Sequence, residues 1–155
     1  MIKLPIHEQE DGWCGPASMQ MVLAYYGLKK PQAELAELMR ATSDDGCDPP
    51  DFVRTAEQLG FAAEFKTGYT LQGLEELVKE NVPPIVGWHS PTGGDHYSVV
   101  TAFEGDLMFY ADPQFGATRA ISKYFFEKVW IGCYDLEPKS EKDYFEKGVI
   151  IIRKR

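Results

Sequence analysis

The sequence predicts an α+β fold, with helices in the first half and an antiparallel sheet over most of the second. Three observations carry this. Apolar residues recur at helical spacing as far as Glu80. β-rich runs separated by turn residues follow from Pro84. Strand and helix segregate along the chain instead of alternating, as a parallel sheet would require.

The first helix is predicted from Cys14 to Tyr26, with Met19, Val22, Leu23 and Tyr26 on one face. Pro16 is tolerated in a first turn, where N–H groups have no partner, and Gly27 supplies a left-handed stop. A second helix spans Pro31 to Arg40 on a stripe of Leu35, Leu38 and Met39. Ala41–Asp48 is polar and loop-like. A third helix follows Pro49-Pro50 and ends at Gly60, with Phe52, Val53, Ala56 and Leu59 apolar. Phe61–Phe65 reads as a short strand, and Thr70 caps a helix over Leu71–Glu80. Pro84–Trp88 is a buried strand and Ser90–Gly94 a loop. Tyr97–Phe103 and Leu107–Ala111 form a hairpin about Glu104-Gly105-Asp106, ended by Asp112-Pro113. Tyr124–Tyr134 and Val149–Ile152 read as further strands.

No repeat or long linker divides the chain, so residues 1–155 read as a single domain. Hydrophobic residues at 44% and charged residues at 26% mark a globular protein able to bury a core. The net charge of −8 disfavours nucleic acid and anionic membrane as partners. The basic end Arg153-Lys154-Arg155 reads as a solvated tail. No signal peptide and no membrane span are visible. Cys14, Cys47 and Cys133 are odd in number and widely spaced, which suits a reducing, cytoplasmic compartment better than a disulfide framework.

Chemistry enters at Gly12-Trp13-Cys14-Gly15-Pro16-Ala17-Ser18, which puts a thiol in the first turn of a helix. Unpaired N–H groups and a partial positive charge favour a thiolate there. Such a nucleophile needs a base and a group to orient it. His96 opens the strand His96-Tyr97-Ser98-Val99-Val100. With a three-residue turn at Glu104-Gly105-Asp106, Ser98 faces Asp112, and His96 becomes its diagonal neighbour on one face, about 7 Å away. A two-residue turn puts them on opposite faces. The Cys14 N–H and the Gln9 amide are candidate donors to an oxyanion.

These residues carry a resemblance. Gln9, Cys14-Gly15-Pro16-Ala17-Ser18, Tyr25-Tyr26-Gly27, Gly94-Asp95-His96-Tyr97-Ser98-Val99-Val100 and Asp112-Pro113 resemble the bacteriocin-processing, double-glycine-leader cysteine peptidases. That is family thirty-nine of the cysteine peptidases, and the likeness is greatest to its stand-alone, peptidase-like branch in the papain superfamily. It covers roughly residues 4–135, with Gly46, Gln58-Leu59-Gly60-Phe61, Thr70 and Pro84-Ile85-Val86 as further landmarks.

The resemblance implies a papain-like fold, a helical lobe packed on an antiparallel sheet. It makes Cys14 the nucleophile, His96 the base and later acid, Asp112 the orienting group and Gln9 the oxyanion donor. It implies a peptide or amide substrate, hydrolysed through a thioester, with a precursor peptide or a separate transporter as partner. No metal or organic cofactor is expected. Two departures stand out. The glutamine lies five residues before the cysteine instead of the usual six, a position held here by Glu8. The chain also carries no transporter spans. Transfer of the acyl group to an amine or thiol, and a non-catalytic binding or adaptor domain, are the alternative functions.

The other candidates have plainer readings. His7 and His89 are surface or loop histidines, with His89 at the cleft as its functional alternative. Cys47 and Cys133 are ordinary thiols, Cys133 buried in a strand, and no spacing suits zinc. Trp13 and Trp88 suit cleft walls, and Tyr97 the core. Asp95 points away from His96 into solvent, and Glu75, Glu76 and Glu80 form a solvated helix face.

Overall fold

The computed structural model describes residues 1–10, 13–41, 47–92, 94–134 and 138–155. Gly12, Gly46 and most of the loop expected over Ala41–Asp48 lie outside them. The chain runs α1 (Cys14–Tyr25), α2 (Gln32–Met39), α3 (Pro49–Gln58), β1 (Phe61–Lys66), α4 (Leu71–Lys79), β2 (Ile85–Ser90), β3 (Gly94–Glu104), β4 (Leu107–Asp112), β5 (Ala117–Ser122), α5 (Lys123–Val129), β6 (Ile131–Cys133), β7 (Tyr144–Glu146) and β8 (Gly148–Lys154). A single 3-10 turn precedes β7. Six strands form one antiparallel sheet in the order β1-β8-β2-β3-β4-β5, and β6 and β7 pair separately.

The sheet has a core on each face. Ile85, Val99, Ile150 and Ile152 pack with Met19, Val22 and Leu23 of α1, Leu35 and Met39 of α2 and Phe52 of α3. Their strand neighbours Val86, Val100, Val149 and Ile151 pack with Leu74 and Leu77 of α4 and Phe126 of α5. Alternate residues of β2, β3 and β8 thus serve opposite layers, which explains why these strands are apolar throughout. The helices are not confined to the first half: α1–α3 cover one face, while α4 and α5 cover the other.

The strand expected over Tyr124–Tyr134 is largely a helix. Ser122 accepts the Phe125 N–H at 3.1 Å as N-cap of α5, and Phe126 and Trp130, four apart, turn inward. Trp130 Nε1 donates to the Gly148 carbonyl at 3.0 Å. Aromatic content imitated a strand; the cap and the spacing decide for helix. β5 was not anticipated, because its mostly exposed residues show no apolar alternation.

The hairpin reaches its register by an unexpected route. Glu104 pairs with Leu107, so the turn holds two residues, and Gly105 takes φ +56. That register alone would separate His96 and Asp112 across the sheet. A β-bulge between Val100 and Ala102 restores it: Val100 pairs with Tyr110 and Val99 with Ala111, which carries Ser98 opposite Asp112. The carbonyl of Thr101, inside the bulge, accepts the Ile2 N–H at 2.9 Å and anchors the start of the chain.

Candidate active site

α1 packs against β3, and Cys14 opens its first turn. The N-cap, Trp13, makes no side-chain cap bond, and no acidic residue lies in the first turn. The leading N–H groups therefore keep their donor capacity and partial positive charge. Gly15 is dictated by packing. A Cβ there would collide with Cys47 Sγ and stand 3.2 Å from Phe52 Cζ, so α3 and the chain before it close directly onto the turn that carries Cys14.

His96 and Asp112 come together at 2.8 Å, Nε2 to Oδ1, and are only 4% and 1% exposed. A carboxylate only accepts, so Nε2 carries the proton. The other ring nitrogen, Nδ1, remains for the Cys14 thiol, which interacts with His96 strongly enough to raise its pKa. Burial works against the imidazolium. The bonds to Asp112 and Cys14 and their charges outweigh burial, and the His96 pKa rises from 6.5 to about 9. Trp88, paired with His96 across the strands, sets its ring 6.4 Å away and donates from Nε1 to Ser98 Oγ at 3.1 Å. It is a buried wall behind the imidazole.

Asp112 is itself held. Its Oδ1 also accepts the Gln114 N–H at 2.9 Å, a local turn that fixes the carboxylate. Gln9, half-buried, donates its N–H to the Pro113 carbonyl at 2.7 Å. Its Oε1 is buried and has no hydrogen-bond partner among the described residues. The backbone thus ties Gln9 to the turn that follows Asp112.

Cys47, read as an ordinary thiol, stands beside the turn that carries Cys14. Burial foremost, then the charges of Cys14, Asp51 and Asp48, push its thiol well above the usual range. Nothing in the sequence signalled this neighbour. Tyr97 is a core residue, its ring 4.7 Å from Phe52 and its hydroxyl donating to the Cys47 carbonyl at 3.3 Å. Asp95 and His89 pair across β2 and β3 and are exposed. Cys133 is half-buried in β6 rather than fully buried. Among the described residues no three His, Cys, Asp or Glu side chains cluster as a metal would need, and no helix is long and apolar enough to cross a membrane.

The model of the Peptidase C39-like family matches residues 1–136. The chain belongs to this family of cysteine peptidases. The lactococcin-G-processing and transport ATP-binding protein LagD of Lactococcus lactis is 34% identical over 145 residues, 92% of this chain and 20% of that protein. The chain therefore spans about a fifth of the length of this curated relative. Among solved structures, the peptidase domain of Streptococcus ComA superposes with TM-score 0.76 at 21% identity, covering 100% of both chains. A double glycine motif protease from an AMS/PCAT transporter, crystallised with a leader peptide, gives 0.75 at 22% identity over 99% of this chain and 94% of that one. These structures share the papain-like α+β fold.

Proposed function

We propose that this C39-like chain cleaves a peptide bond with Cys14 as nucleophile, His96 as acid–base and Asp112 as the group that orients His96. One observation carries the proposal: a buried histidine bound to a carboxylate through Nε2, its pKa raised by that carboxylate and by the thiol in the first turn of α1. At neutral pH His96 is protonated and stands ready to give its proton to a leaving group.

The sulfur adds to the substrate carbonyl. The oxyanion that forms lies toward the Cys14 N–H and the Gln9 amide, which lower its energy. Collapse breaks the C–N bond, and the His96 proton goes to the departing amine. Neutral His96 then takes a proton from water, which releases the acid from the thioester and restores the pair. Asp112 keeps Nδ1 aimed at the sulfur throughout by holding the tautomer.

For substrate we propose a precursor peptide cut after two glycines, by likeness to a double glycine motif protease bound to its leader.

The test follows Cys14 alkylation by iodoacetamide, read by peptide mass from pH 5 to 10, in wild type and His96→Ala. We expect rapid modification of the wild type at pH 6–7 and at least a tenfold loss in the variant. Equal rates would remove the Cys14–His96 assignment and leave the binding-domain reading. Cleavage of a Gly-Gly coumarylamide by wild type and not by Cys14→Ala completes the test.

A further inference from the structure

Gln32 is the first residue of α2, remote in sequence from every motif. Its side-chain amide makes two bonds to one short stretch of backbone. Nε2 donates to the Glu8 carbonyl at 2.7 Å, and Oε1 accepts the Glu10 N–H at 3.1 Å. A neighbouring β-strand would offer the same donor–acceptor pair to residues two apart. In an extended segment the residue between them directs its own N–H to the opposite side. That residue is Gln9, and its N–H goes to the Pro113 carbonyl at 2.7 Å. Gly116, at φ +61, packs a built Cβ position 3.0 Å from Glu8 Cβ on this second side. Glu8–Glu10 is thus held from both sides, by a side chain of α2 and by the turn after Asp112.

The hold matters because Glu8 and Glu10 are exposed and contribute no buried side chain. Fixing the backbone costs conformational entropy, and with little side-chain burial the hydrogen bonds carry most of what offsets it. The held residue, Gln9, is also the half-buried one of the three.

We propose that Gln32 is a positioning residue for the oxyanion hole: its amide clamps Glu8 and Glu10 and thereby sets the Gln9 side chain against the reacting carbonyl. This rests on the assignment of Gln9 above. Gln32 itself touches no substrate.

The experiment uses acetyl-glycyl-glycinal. The Cys14 S–H adds across the aldehyde: a sulfur–carbon bond forms, and the thiol proton reaches the new oxygen through His96. That oxygen occupies the oxyanion position, so aldehyde affinity reports the hole. Affinity is read from protection of Cys14 against iodoacetamide, and the unprotected alkylation rate reports the Cys14–His96 pair separately. For Gln32→Ala we expect aldehyde affinity to fall roughly tenfold to a hundredfold, as a small misplacement of a donor costs, with the free alkylation rate within about twofold of wild type. Gln32→Glu keeps an acceptor for the Glu10 N–H but no donor for the Glu8 carbonyl, and it should fall between. Gln9→Ala should weaken the aldehyde as much as Gln32→Ala or more, and adding Gln32→Ala to it should change nothing further.

Unchanged aldehyde affinity in Gln32→Ala, or losses that simply add with Gln9→Ala, overturns the clamp. Failure of the catalytic reading looks different, because wild-type alkylation would then ignore His96.

Discussion

Replacing Asp112 by Asn keeps the shape of the orienting group and removes its charge. The consequence should appear in the pH dependence of stability. In the folded protein His96 titrates at about 9 rather than 6.5, because the bonds to Asp112 and Cys14 outweigh burial. The folded state therefore binds this proton more tightly than the unfolded state does. The stabilisation is fully present below pH 6.5, fades as pH rises, and is gone above about pH 9. The gap between the two values corresponds to about 3 kcal/mol, at about 1.4 kcal/mol per pKa unit. Cys14 supplies part of the rise and stays in the variant, so about 2 kcal/mol should depend on Asp112. The assay is urea unfolding at pH 5.5 and pH 9.5 in both proteins. Wild type should lose about 2 kcal/mol more than Asp112→Asn across this interval. Asp95, raised to about 6, and Cys47 titrate in both proteins, so they enter the difference only through their coupling to His96 and Cys14. Equal losses in the two proteins would show that the carboxylate does not hold the imidazolium, and the orienting role of Asp112 would go with it.

Three further outcomes are expected. Gly15→Ala drives a Cβ into Cys47 Sγ and should destabilise by roughly 1–3 kcal/mol; adding Cys47→Ala should recover most of it, measured by a double-mutant cycle in urea. Cys47, whose thiol burial keeps protonated, should react with iodoacetamide much more slowly than Cys14 at pH 7, read by peptide mass. Thr70 Oγ1 accepts the Gly73 N–H at 2.9 Å, so Thr70→Ala should cost about 1 kcal/mol in thermal unfolding and Thr70→Ser little, with Cys14 alkylation unchanged in both.

Local physics made much of the fold legible. α1 begins where Cys14-Gly15-Pro16 predicts and stops at Gly27, whose φ is +95. Thr70 caps α4 as expected. The central strands reveal themselves as unbroken apolar runs, since they feed a core on each face. Misreading began where composition and periodicity disagree. Tyr124 and Phe125 are exposed aromatics that suggest a strand, while Phe126 and Trp130 keep helical spacing behind the Ser122 cap. The pairing of His96 with Asp112 was anticipated for the wrong reason. A two-residue turn and a bulge near Thr101 together give the register that a three-residue turn would have given alone, and a bulge leaves no plain mark in sequence. Contacts among Cys14, Cys47 and His96 depend on how α1 and α3 lie on the sheet, and no spacing encodes them.

On the assignment proposed above, the segment after β4 gives two catalytic tasks one support. Asp112 Oδ1 accepts both His96 Nε2–H and the Gln114 N–H, so the turn fixes the carboxylate that orients the imidazole. One residue on, the Pro113 carbonyl takes the N–H of Gln9. Proton transfer and oxyanion stabilisation must be registered to each other within a fraction of an ångström, because both act on the same carbonyl group. Building both from one turn makes their relative position a local matter, insensitive to small shifts between the helices and the sheet. Gln32, from α2, adds an anchor on the other side of the same stretch. On that reading the five-residue interval from Gln9 to Cys14 is no obstacle, since anchors on both sides, rather than spacing along the chain, fix the place of Gln9.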